Sequence, residues 1–231
     1  MIKEFLNDLN LDKTGRKYYD NFDTSIYGDS LAPGSAPADE LYKQWISLYK
    51  PNLVIEVGSF LGYSAINMAK EIKKLNLDTK IICVDTWLGS PEHYINFKET
   101  NNDVLNYTNG YPTLYHKFIS NVILNDVQDI IYPFPFPSSI AFKILDKLFN
   151  KHNIKADFIF IDGSHEELDV HLDLYYYYQL LSDKGVMWGD DWGWDMVKNG
   201  VNSFLQENKL EYNFNLLENK IHWFIEKNNL I

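Results

Sequence analysis

Cysteine is almost absent: the 231-residue chain holds one, Cys83, so no disulfide can form within it. That thiol lies in the apolar run Ile81-Ile82-Cys83-Val84 and reads as a buried strand residue, which suits a reducing compartment. Positive charge is also scarce. Lys and Arg number 21 against 32 Asp and Glu, a formal charge of -11, and the longest basic run is Lys73-Lys74. Such a surface repels a phosphate backbone, so no nucleic-acid partner is expected. No apolar run is long enough for a membrane span, and Met1 to Asn10 mixes Lys, Glu and Asp with its apolar residues, unlike a signal peptide. A cytoplasmic protein without membrane association is the expectation. Internal repeats and low-complexity tracts are missing too, which excludes solenoids and disordered arrays.

What is present is one core's worth of apolar residues, 45% of the chain, and a regular alternation of two patterns. The Leu31-Ala32-Pro33-Gly34-Ser35-Ala36-Pro37 stretch divides the chain into an N-terminal arm or cap, 1–37, and a main domain, 38–231. Ala38 to Tyr49 reads as a helix. Apolar runs without polar alternation follow at Leu53–Val57, Lys80–Val84, Ile130–Tyr132, Asp157–Ile161 and Gly185–Trp188, the mark of strands buried on both faces. Helical patterns lie between and after them at Gly62–Leu75, Ser138–Phe149, Glu167–Leu181 and Asp195–Glu207, long enough for right-handed crossovers. Glu211–Leu217 and Lys220–Glu226 flank Glu218-Asn219 and read as a terminal antiparallel hairpin. The fold class is therefore α/β and Rossmann-like, a mostly parallel sheet with helices on both faces, and ligands are expected beyond the carboxyl ends of its strands.

The loop after the first strand reads Glu56-Val57-Gly58-Ser59-Phe60-Leu61-Gly62-Tyr63-Ser64. A dinucleotide fingerprint places its first glycines one residue apart; here three residues separate Gly58 from Gly62 and an acid precedes them. The pattern resembles the first motif of class I methyltransferases that use S-adenosylmethionine (SAM), specifically the catechol-type and macrolide-sugar O-methyltransferase branches. That resemblance covers roughly Pro51 to Val201 and implies a seven-stranded class I sheet. It also implies that Gly58 and Ser64 contact the methionine part of SAM, with Glu56, Ser59 and Gly62 in the same loop. Asp85, in Val84-Asp85-Thr86-Trp87, stands where one carboxylate can accept both ribose hydroxyls, with Thr86 and Trp87 beside it. Ser138 or Ser139 would reach the adenine edge.

Asp162 ends the fourth strand in Asp162-Gly163-Ser164-His165, and Asp190-Asp191 ends the fifth. Carboxylates on neighbouring strand ends repel one another unless a cation neutralises them, and all-oxygen ligands favour a hard ion such as Mg²⁺. By resemblance Asp162, Asp190 and Asp191 hold the metal, Asp162 also borders the cofactor, and His165, three residues past the first acid, is the general base. Histidine at that position matches the macrolide-sugar branch, so a small sugar-like or polyol hydroxyl is the expected acceptor. An imidazole can take the proton around neutral pH.

The connection Leu88 to Asn125 is unusually long, with only Thr113–Leu124 helical in pattern, and reads as a lid or specificity loop. His93, Tyr94 and Tyr111 within it, and Trp192 and Trp194 after the acidic pair, are candidate acceptor contacts, or interface anchors of a homo-oligomer. Two rival readings remain at this level: an NAD-dependent oxidoreductase, which the glycine spacing disfavours, and a non-catalytic partner-binding module whose glycines and acids merely shape turns.

Overall fold

A computed structural model describes residues 2–9, 18–28, 36–95 and 105–227. Residues 31–35 of the proposed dividing loop, and 96–104 of the long connection, lie outside them. The first helix, α1 (Ile2–Asp8), lays Phe5 edge-on against Phe149, and Asp8 meets Lys151 and His152. α2 (Ala36–Tyr49) starts two residues before the predicted Ala38, because Pro37 falls in its first turn, where no amide donor is needed. Then come β1 (Leu53–Val57), α3 (Tyr63–Lys74), β2 (Lys80–Val84) and the short α4 (Pro91–Ile95). A two-stranded hairpin, β3 (Tyr107–Thr108) with β4 (Tyr111–Pro112), precedes α5 (Leu114–Leu124). Neither α4 nor this hairpin was legible in the long connection.

The chain continues through β5 (Ile131–Phe134), α6 (Ser138–His152), β6 (Ala156–Ile161), α7 (Glu167–Tyr178), β7 (Leu181–Gly189), α8 (Asp195–Asn208), β8 (Phe214–Leu216) and β9 (Trp223–Glu226). The seven-stranded sheet has the order β5-β2-β1-β6-β7-β9-β8, parallel except where β9 runs against β7 and β8. β5 runs past Pro133, where the sequence pattern stopped at Tyr132. It is an edge strand, so the missing donor of Pro133 leaves no gap inside the sheet. β7 starts at Leu181, four residues before the predicted Gly185. Its early part, Leu181 to Lys184, pairs with β6 only at Ala156, ahead of an irregularity in register, and its two exposed residues hide the strand pattern.

Residues of the strands alternate between two cores. Leu53, Ile55 and Val57 join α6, α7 and α8 on one face, while Val54 joins α2, α3 and α5 on the other. Register fixes what stands above the sheet. Val57 pairs with Val84 on one side and Ile161 on the other, and Ile161 pairs with Gly189. One residue further along each strand, Gly58, Asp85, Asp162 and Asp190 therefore form a row at the carboxyl ends, spaced by about 4.8 Å per strand. The row straddles the point where the strand order reverses, the usual crevice of open parallel sheets.

Candidate active site

A cleft of about 770 Å³ opens above this row. Its floor is the turn after β1. Gly58 has φ +87°, and a Cβ there would lie 2.0 Å from the Asp162 carbonyl oxygen, so only glycine lets the two turns approach. Hydrogen bonds interlock the same strands: Gly58 N–H donates to Val84 O at 2.9 Å and Asp162 N–H to Val57 O at 2.8 Å. Gly62 caps α3 in the left-handed region and packs on Phe118.

Asp85 is held by that turn. Its Oδ2 accepts from Phe60 N–H at 2.8 Å and its Oδ1 from Trp87 N–H at 2.7 Å. The backbone amides of Ser59 and Thr86 also bear on the carboxylate, so the turn holds it as an acceptor at the cleft wall. Trp87 itself is buried, packing on Phe118 and donating from Nε1 to Phe60 O at 2.8 Å. It supports the site and does not line it. The same correction applies to Glu56. That strand residue points to the α3 face, is 0% exposed, and accepts from Ser64 Oγ–H while Cys83 Sγ lies 3.5 Å away. Burial raises its pKa to about 7. Of the predicted cofactor residues, Gly58, Ser59, Ser64, Asp85, Thr86, Ser138, Ser139 and Asp162 line the cleft; Glu56, Gly62 and Trp87 stand behind it.

At the other end of the row His165 Nε2 meets Asp191 Oδ2 at 2.8 Å, and the imidazole stacks on Trp194, centroids 4.7 Å apart and 14° between planes. Asp191 has φ +59°, which turns the chain sharply after β7, while Asp190 Oδ1 accepts from Asp191 N–H at 2.7 Å with His222 Nε2 at 3.4 Å. Asp162, Asp190, Asp191 and His165 border a void of about 10 Å³. Burial, then Asp190 and Asp191, hold Asp162 well above the ordinary carboxylate range. The donor chemistry and the size of the void suit one hard cation, which needs only one or two carboxylates from the protein. Among the described residues, however, no three His, Cys, Asp or Glu groups are assembled as a ready-made metal cage, since Asp191 faces His165.

The candidate acceptor contacts divide. His93 lines the cleft, stacked on Phe60 at 5.2 Å, and Trp194, half exposed, backs His165. Trp192 does not reach the cleft: it packs on Phe214 at 4.9 Å and donates N–H to Ile221 O, so its ring belongs to the β8–β9 hairpin. Tyr94 donates its hydroxyl to Leu88 O at 2.7 Å, and Tyr111 is 71% exposed on the β3–β4 hairpin; neither lines the cleft. Sequence reasoning missed Asp173, which lines the cleft from α7. The available signal was an acid within the apolar stripe Val170, Leu174, Tyr177. Among the described residues no Lys or Arg lines the cleft, whereas Asp85, Asp162, Asp169, Asp173 and Asp191 do. Such a wall favours a cationic ligand.

Parallel sheet, switch-point crevice and acidic row define the class I methyltransferase fold. The model of a family described as "Methyltransferase domain" matches residues 55–192, more than half of the sequence, and the chain belongs to that family. Among solved structures, the O-methyltransferase NovP superposes with a TM-score of 0.61 at 12% identity, covering 98% of this chain and 99% of its own. TomG from Streptomyces achromogenes, an O-methyltransferase involved in tomaymycin synthesis and solved with SAM, gives 0.57 at 15% identity over 84% of this chain and 81% of that one. An O-methyltransferase from Bacillus cereus, solved with the demethylated product SAH, gives 0.56 at 14% over 88% and 87%. At these identities the likeness is one of fold. A search of the curated proteins returns no match.

Proposed function

We propose that this methyltransferase uses SAM to methylate a hydroxyl of a small sugar-like or polyol acceptor, with a divalent cation, Mg²⁺ by preference, held by Asp162 and Asp190, while Asp191 serves His165. The observation that carries the reading is the His165–Asp191 pair, 2.8 Å apart, on the wall of the cleft that Gly58 and Asp85 also line. A base positioned by a carboxylate beside an acidic cleft is what removal of a hydroxyl proton needs.

SAM supplies an electrophilic methyl group on a cationic sulfonium, and the five cleft carboxylates favour that charge. Asp85, fixed by backbone amides of the turns after β1 and β2, is placed to receive the ribose hydroxyls. Gly58 and Ser64 form the floor beside the donor's amino-acid end. A cation on the acidic row would act as Lewis acid and template for acceptor oxygens. The acceptor-only carboxylate of Asp191 meets Nε2 of His165 and orients the imidazole on the cleft wall. Trp194 holds the imidazole plane by stacking. The histidine at this position supports the sugar-type acceptor.

The test is calorimetry followed by kinetics. SAH binds and NAD does not; binding of NAD alone would return the chain to the oxidoreductase class. With SAM and a panel of sugars and polyols, His165→Ala lowers kcat by about 100-fold or more while acceptor KM and SAH affinity change by less than about threefold. An unchanged kcat would remove the base role from His165.

A further inference from the structure

Between the start of α6 and the middle of α7 the cleft is lined by Phe136, Ser139, Leu172 and Tyr176, together with the buried polar pair Ser138 and Asp173. Ser138 is fully engaged there. Its hydroxyl donates to Asp173 Oδ1, and its carbonyl accepts from Tyr177 O–H at 3.0 Å. The serine that the motif pattern assigns to the adenine edge thus has its donor committed to Asp173.

Asp173 is only 6% exposed and sits among apolar neighbours on α7, with no ion pair to a Lys, Arg or His among the described residues. Burying a carboxyl group is unfavourable unless its acceptor sites are used, and a carboxylate has about four. Ser138 takes one of them. Oδ2 lies over the turn after β6, 3.4 Å from where a Cβ on Gly163 would stand, so it is held between β6 and the cleft. Burial lifts the group to about 7 even though the Ser138 hydroxyl favours its charged form.

We infer that Asp173 reads the nucleobase of the methyl donor: Ser138 fixes Oδ1, and Oδ2 accepts the exocyclic amino group of adenine in the slot beside Phe136 and Tyr176. This rests on the proposal that SAM is the donor. Ser138 is then a positioning residue and Asp173 the contact. Asp85 and Asp173 together set the span from ribose to base edge, and the aromatic walls take the base faces.

The probe pair is SAH and S-inosylhomocysteine, which differ in carrying an amino or an oxo group at the purine 6-position. By calorimetry at mildly alkaline pH, the intact protein prefers SAH by about 10- to 100-fold, the range of one hydrogen bond to a charged, buried acceptor. Asp173→Ala loses that preference. Asp173→Asn reverses it: Ser138 still donates to the amide oxygen, so the amide nitrogen occupies the Oδ2 position and donates to the oxo group. A merely structural tie between α6 and α7 would lower both affinities together and could not invert their order. The isosteric Asn variant carries the test should the Ala variant not fold. Equal binding of both probes by the intact protein, or an Asn variant that still prefers SAH, overturns the role of Asp173. Binding of neither probe overturns the SAM reading itself, and this inference with it.

Discussion

Gly58→Ala tests the contact on which the whole cleft is built. The added methyl would stand 2.0 Å from the Asp162 carbonyl oxygen, against ordinary contact beginning near 3.4 Å, so the turns after β1 and β6 must separate by about 1.4 Å. Neither partner is a flexible side-chain end; both are backbone at the ends of paired strands. Holding alanine at φ +87° adds about 1–2 kcal/mol, and overpacking adds about 1–3 kcal/mol. The total, about 2–5 kcal/mol, corresponds to a fall in Tm of roughly 4–20 °C for a domain of this size. Function suffers more. A displacement near 1 Å at a positioned group can lower turnover about 100-fold, and this one acts directly on Asp162. Thermal denaturation by circular dichroism reads the first effect, and SAH calorimetry with methyl-transfer kinetics the second. Gly193→Ala is the control, since its added methyl meets nothing within 4 Å. If Gly58→Ala kept both Tm and SAH affinity close to the parent, the reasoning from close approach would be refuted.

Two further outcomes are expected. Asp190→Asn abolishes turnover while SAH affinity changes by less than about threefold, because Asp190 lies off the main cleft wall; full activity in excess chelator would contradict the cation proposal. Glu56→Gln flattens the dependence of stability on pH. The folded chain binds this proton more tightly than the unfolded one, from the usual 4.5 up to about 7. The stability so gained is full below the lower value and lost as pH climbs through the higher. It amounts to about 3 kcal/mol, readable as the difference between the two proteins in urea unfolding across that window; parallel curves would show that Glu56 is not held neutral.

The sheet was legible because its strands are buried on both faces, and an apolar run such as Ile81–Val84 has no other comfortable place. The edge was less so: Pro133 reads as a stop, and only its edge position lets β5 continue. Positions one or two residues past the runs identified the acidic row. What a sequence cannot show is direction. Glu56 stands among motif glycines, yet strand alternation turns it away from the cleft and toward Ser64. Trp192 and Trp194 are two residues apart, and the β8–β9 hairpin captures one while His165 stacks on the other. Asp173 looked like any acid on a helix until α6 brought Ser138 against it.

By its own pattern, the chain determined the alternation of strand and helix, the glycine turn and the presence of acids at strand ends. These depend on residues close together along the polypeptide, where burial period and backbone freedom act locally. Packing alone decided which acids face one another, that Asp191 turns to His165, and that Asp173 is buried beside the cleft. Those outcomes depend on register between strands and on contacts between elements far apart in the chain, fixed only when the two cores close around the sheet.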